Sequence, residues 1–91
     1  MDDNDLRLDG NAAGGLLGEL FPFEMTMAEC TCTRCGVTAP VGALILYRHG
    51  MGAILRCAGC DTVQIRLSRT PGRYWIDMRG IESMRIAASQ N

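Results

Sequence analysis

The sequence predicts a small β-rich domain, a three- or four-stranded antiparallel sheet preceded by one amphipathic helix and stapled by a four-cysteine metal site. Three observations predict it. Cysteines recur as two C-x-x-C pairs, Cys32-Thr33-Arg34-Cys35 and Cys57-Ala58-Gly59-Cys60, with 21 residues between them. The segments between and after the pairs alternate apolar and polar residues with the period of a strand. A chain of 91 residues also builds only a marginal core by burial, so a metal staple is physically sensible.

Each cysteine pair closes a tight turn that points two sulfurs inward while backbone amides solvate them. Four thiolates about 2.3 Å from the ion complete the tetrahedron that zinc prefers. A complete tetrahedron leaves no position for water or substrate, so the sequence predicts one structural zinc held by Cys32, Cys35, Cys57 and Cys60. Iron can occupy the same four thiolates, and spacing discriminates the two metals poorly. Rubredoxin-like electron transfer is therefore an alternative, although the aromatic-rich shell of rubredoxins is missing. Two disulfides would need an oxidising compartment. A thioredoxin-type redox pair belongs beside a βαβ pattern that this chain lacks. Cys30 is an odd fifth thiol. It could replace Cys32, but the tighter pair followed by Gly36 makes the better knuckle, and Cys30 reads as a small, semi-buried residue. His49, beside the turn at Gly50-Met51-Gly52, reads as an exposed turn histidine rather than a ligand.

Charge is unevenly spread over a net −1. Residues 1–29 carry −6 and residues 30–91 carry +5, and all nine basic residues are arginine. Residues 1–5 read as a disordered acidic tail. An amphipathic helix is expected within residues 6–22, with Ala12, Ala13, Leu16, Leu17, Leu20 and Phe21 on one face, Asp9 as N-cap and Pro22 as the stop. Its glycines, Gly14, Gly15 and Gly18, weaken it, so it needs a surface to lie on, its own sheet or a partner. Phe23, Met25 and Met27 then read as an extended lead into the first knuckle.

Residues 23–88 form the ribbon. Val41 to Arg48 reads as a strand with Leu44, Leu46 and Tyr47 near the core, and Ala53 to Arg56 runs back into the second knuckle. Thr62 to Arg69 places Val63, Ile65 and Leu67 on one face, Gln64, Arg66 and Ser68 on the other. A two-residue loop at Pro71-Gly72 pairs residues whose numbers sum to 143, so Leu67 meets Ile76 and Arg66 meets Asp77. The same pairing gathers Arg66, Arg73, Trp75 and Arg79 on one face. Ile81 to Ala88 fits a last strand or a short helix, and residues 89–91 are expected to fray.

With these residues in view the chain resembles a family of short bacterial zinc-ribbon proteins, frequent in actinobacteria. The resemblance rests on Leu8-Asp9-Gly10-Asn11, the two cysteine pairs, and Arg69-Thr70-Pro71-Gly72-Arg73-Tyr74-Trp75 followed by Asp77 and Arg79-Gly80. It implies a zinc-ribbon fold with Cys32, Cys35, Cys57 and Cys60 as ligands, and no established activity.

The functional expectation is a non-catalytic binding module with a protein partner. There is no nucleophile–base–acid set and no evident small-molecule site, and Gly10, Gly14, Gly15 and Gly18 do not follow a strand as a dinucleotide loop requires. The alternative is nucleic-acid binding through Arg66, Arg73, Trp75 and Arg79, with Trp75 stacking a base. Against it, the pI near 5.7 is a poor electrostatic footprint. Arginine stems, or the N-terminal helix with its acids, could instead cover Trp75. No apolar run approaches the ~18 residues needed to span a bilayer. The acidic start is unlike a signal peptide, so a cytoplasmic location is expected.

Overall fold

A computed structural model describes residues 7–21, 24–50 and 52–87. Among the described residues eight strands form two antiparallel sheets. The larger has five strands in the order β1-β4-β5-β6-β7, comprising β1 (Arg7–Asp9), β4 (Ile45–His49), β5 (Gly52–Arg56), β6 (Val63–Thr70) and β7 (Arg73–Asp77). The smaller runs β3-β2-β8, with β2 (Glu29–Cys32), β3 (Thr38–Pro40) and β8 (Ile81–Arg85). The β-rich architecture with one helix matches the expectation, but the strands divide over two sheets. Three-residue strands such as β1 and β3 are too short to show alternation.

The core lies on one face of the larger sheet. Register aligns Leu46, Leu55 and Ile65 across β4, β5 and β6, and all three are at most 1% exposed. Each such side chain contributes roughly 1.5–3 kcal/mol by burial. The one α-helix among the described residues, α1 (Gly14–Leu20), inserts Leu17 into this cluster, with Leu16, Leu20 and Phe21 packed around it. The helix therefore docks on its own sheet. Glu19 fastens it, accepting from Arg69 Nη2 and from the Tyr74 hydroxyl, each at 2.6 Å.

Local expectations change in four places. The helix is shorter than its apolar pattern, because Arg7–Asp9 pairs with β4 and Gly10–Ala13 forms a 3-10 turn. Ala13, not Asp9, is the N-cap, with no side-chain cap. Met25–Met27 is a 3-10 turn, burying Met25 and leaving Met27 71% exposed. Val41–Ala43 is likewise a 3-10 turn, where Val41 donates to Ala28 O at 2.8 Å and Gly10 donates to Leu44 O at 2.7 Å. Those bonds spend the backbone groups a strand would use. Ile81–Arg85 resolves as a strand on β2. The expectations for residues 1–5, Pro22, Phe23, Met51 and 89–91 concern positions outside the described residues.

The β6–β7 hairpin has the anticipated register, from Arg66 opposite Asp77 to Thr70 opposite Arg73, around Pro71-Gly72 with Gly72 at φ +75°. At the other end of β6 a bulge intervenes. Leu55 pairs with Ile65 and Arg56 with Val63, so Gln64 is the extra residue. The bulge turns Gln64 inward, where it is 2% exposed and its Oε1 accepts from Cys30 Sγ at 3.2 Å. Simple alternation places Gln64 outside with Arg66 and Ser68.

Candidate metal centre

The two knuckles are built alike. Cys32 ends β2 and Cys57 follows β5. In the first, Cys32 N–H donates to Val37 O at 2.9 Å and Gly36 N–H to Cys32 O at 3.0 Å. In the second, Cys57 N–H donates to Thr62 O and Asp61 N–H to Cys57 O, both at 2.8 Å. Each turn ends on a residue in the left-handed region, Gly36 at φ +76° and Asp61 at φ +68°. Asp is among the few side chains that enter that region at modest cost. Arg56 Nη1 donates to the Asp61 carbonyl at 3.2 Å and holds the turn from outside. Backbone amides also reach the sulfurs, Arg34 N–H to Cys32 Sγ and Gly59 N–H to Cys57 Sγ, each at 3.4 Å.

These turns bring four sulfurs together. The Sγ atoms of Cys32, Cys35, Cys57 and Cys60 all lie within 4.8 Å of one another. Cys32 and Cys60 are 3.6 Å apart, Cys35 and Cys57 3.7 Å apart. Disulfide sulfurs would sit about 2.05 Å apart. A tetrahedron with metal–sulfur bonds of about 2.3 Å has edges of about 3.8 Å. The spacing therefore fits a four-thiolate metal site. Cys32 and Cys57 are buried while Cys35 faces solvent, so the ion would sit at the edge of the fold, shielded on its inner side.

The thiols are prepared unequally for ionisation. Cys32 is pulled down to about 6, chiefly by the Cys35 backbone amide and also by that of Arg34. Cys60 is lowered by the Thr62 hydroxyl and amide. Cys35 is drawn down by the Val37 amide, but desolvation and the neighbouring thiols lift it to about 11. Four adjacent thiols cannot all ionise without a cation among them, and a divalent ion supplies that charge. A thiol held below its ordinary value contributes stability while ionised and loses it as pH falls through the folded-state value. Metal-loaded protein is expected to keep its ion at neutral pH and to release it on acidification, as protons compete with the cation for the four sulfurs. A chromogenic chelator followed through a stepwise acid titration reads the release, and full retention at about pH 4 would contradict it.

Cys30 stands apart from the four. It is 1% exposed on β2, bonded to Gln64 and to the Ala39 carbonyl at 3.5 Å, and burial pushes its thiol up. Cys30→Ala is expected to retain the metal in full and to cost about 1–2 kcal/mol for the small cavity and the partner lost by Gln64. Metal analysis with thermal melting measures both, and loss of the ion would make Cys30 a ligand. His49 pairs with Gly52 at the end of β4, and its side chain lies outside the described residues.

The second predicted surface is the outer face of the larger sheet. Arg66, Arg73 and Trp75 all lie on that face, where Trp75 is 52% exposed. Arg79 follows in the next turn and clasps Asp77, with Nη2 2.5 Å from Oδ2. That contact, with the Arg79 backbone N–H, holds the Asp77 carboxyl down at about 2. The helix does not cover Trp75, because Glu19 binds Arg69 and Tyr74 on the opposite face. Register adds residues that the sequence reading placed elsewhere or left out. Tyr47 lies on this outer face, alternating with core-facing Leu46, and pairs with Ile54, which pairs in turn with Arg66. Arg56 sits over the Tyr47 ring, 5.6 Å from its centroid. Strict alternation outward from Leu46 was the signal for Tyr47.

Fold and site together define a four-cysteine metal-binding module of small β-rich architecture. Among the described residues no other group of three or more metal-binding side chains converges, and no helix is long and apolar enough to cross a membrane. Compared with known families, residues 2–89 match the family of unknown function DUF6510, and the chain belongs to it. No curated protein and no solved structure matches the chain.

Proposed function

We propose that the chain is a non-catalytic module in which one structural zinc, held by Cys32, Cys35, Cys57 and Cys60, supports a sheet whose outer face binds a protein partner. The observation that carries the reading is the pairing of a saturated four-thiolate site with an open face bearing Tyr47, Ile54 and half-exposed Trp75 among Arg56, Arg66 and Arg73. Four sulfurs occupy every zinc coordination position, so the ion is not available to substrate. Aromatic residues and arginine on one face match the composition of binding hot spots. Zinc is preferred to iron on its availability and because the sequence around the knuckles lacks the aromatic-rich shell of rubredoxins. A cytoplasmic setting, where thiols stay reduced, suits such a site.

Nucleic acid is the second reading, favoured by Trp75 and Arg66 lying in the open on one face. Asp77 stands opposite Arg66 and holds Arg79, which reduces the positive potential available to phosphates. Elemental analysis of protein purified without chelators tests the metal, with one equivalent of zinc expected and iron overturning the assignment. A photo-crosslinking residue at Trp75 tests the face. Beside any crosslink of the chain to itself, a protein adduct of one further mass, absent when the probe is moved to Glu82, is expected. Site-specific adducts with nucleic acid, or none, would overturn it.

A further inference from the structure

We infer that β7 is a self-complementary edge through which two copies of this chain join their larger sheets into one ten-stranded sheet. Among the described residues β7 is an outer strand of its sheet, paired with β6 alone. Tyr74, Trp75 and Ile76 on it are 43%, 52% and 38% exposed. An exposed edge carrying three large apolar side chains in a row is what folded proteins ordinarily avoid.

The hydrogen-bonding direction of the edge follows from the hairpin. In a two-residue loop the flanking residues, here Thr70 and Arg73, form the hydrogen-bonded pair. Alternation then directs the backbone groups of Arg73, Trp75 and Asp77 toward β6. Those of Tyr74 and Ile76 point to the open side. A second copy approaching antiparallel can bond Tyr74 to its Ile76, and Ile76 to its Tyr74, about a two-fold axis at Trp75.

That register makes the strand complement itself. Arg73 falls opposite Asp77 of the second copy, whose carboxylate also holds its own Arg79, twice by symmetry, and Trp75 falls opposite Trp75. These are the closer, non-hydrogen-bonded pairs, in which cross-strand side chains interact most. Tyr74 meets Ile76, an aromatic opposite a β-branched residue. Sliding the register by two residues places Trp75 opposite Asp77 and Arg73 opposite Arg79, losing both charge pairs. The other five-residue edge, β8, lacks this property. Centred on Ser83 it would set Ile81 against Arg85 and Glu82 against Met84. Of the two five-residue edges among the described residues, self-pairing thus suits β7, and it leaves the outer face open while doubling its width. A contact confined to one edge is small, so the dimer is concentration-dependent rather than obligate.

Sedimentation of the full, metal-loaded chain from about 5 to about 500 µM tests this. The mass is expected to rise from 9.9 kDa toward twice that value, while emission from Trp75 moves to shorter wavelength. Arg73→Glu sets two like-charge pairs across the axis and is expected to weaken association at least about tenfold, whereas Arg73→Lys retains it. Ile76→Pro removes an edge N–H without touching the β6 ladder and is expected to leave a monomer. Metal content and circular dichroism confirm that each variant is folded. A monomer at every concentration would overturn the inference, as would a dimer that survives Arg73→Glu.

Discussion

Cys57→Ser is expected to abolish stable metal binding and leave the chain largely unfolded at room temperature. Cys57 is 3% exposed, and its sulfur lies 3.7 Å from Cys35 and accepts the Gly59 amide. A serine hydroxyl does not ionise near neutral pH and is a poor ligand for a thiophilic ion, so the site drops to three sulfurs. Structural zinc contributes about 10–16 kcal/mol in zinc-finger peptides. That is as large as the whole net stability of a typical domain, about 5–15 kcal/mol. The two knuckles belong to different sheets, since β2 leads into the first and β5 into the second. Losing the ion therefore removes a bond between the sheets as well as a local turn. Metal content and a thermal melt of Cys57→Ser, beside wild type stripped by chelator, measure the effect. Unchanged metal and an unchanged midpoint would sink the structural-site reading.

Gly80→Ala and Gly10→Ala are expected to destabilise by at least about 3 kcal/mol each, as overpacking against backbone that cannot move aside. A Cβ on Gly80 would stand 1.9 Å from Val63 O and 2.8 Å from Gln64 Cα, and one on Gly10 would stand 1.9 Å from Val41 O. Neither glycine has a positive φ, so the requirement is for room and not for backbone freedom. Gly80 is the more consequential. It presses on β6 at the Gln64 bulge, and its carbonyl accepts the Thr33 N–H at 3.0 Å inside the first knuckle. Shifting it disturbs β6, β8 and the metal site together. Gly15 and Gly18 are the controls, since an added Cβ meets nothing within 4 Å at either position. Alanine in the helix there is expected to stabilise by about 0.5–1 kcal/mol. Chemical denaturation of the metal-loaded variants separates the two groups. Gly80→Ala melting like wild type would refute the close packing of this turn.

Several features were legible from spacing alone because their causes are local. A C-x-x-C pair closes its own turn, so four ligands could be named before any packing was known, and the structure brings those four sulfurs together. The β6–β7 register was readable for the same reason. A two-residue Pro-Gly loop sets the pairing, and the apolar residues of both strands agree with it. Cys30 was separable from the ligands by the tighter spacing of Cys32 to Cys35.

What the tertiary structure decided is long-range. Whether residues 10–13, 25–27 and 41–43 form helix, strand or 3-10 turn depends on bonds such as Gly10 N–H to Leu44 O, between residues 34 apart in sequence. Gln64 faces inward only because a bulge on β6 gives Cys30 a buried partner. Tyr47 lies beside Ile54 and Arg66 only through the pairing of three strands. Gly10 and Gly80, both within the stretches that carry the family resemblance, acquire their meaning from a carbonyl that another segment places against them. The chain by itself determined the four candidate ligands, the turns and one hairpin, because covalent connection holds those groups near one another. Which faces are covered and which remain open was settled by segments distant in sequence competing for the same backbone groups and the same core.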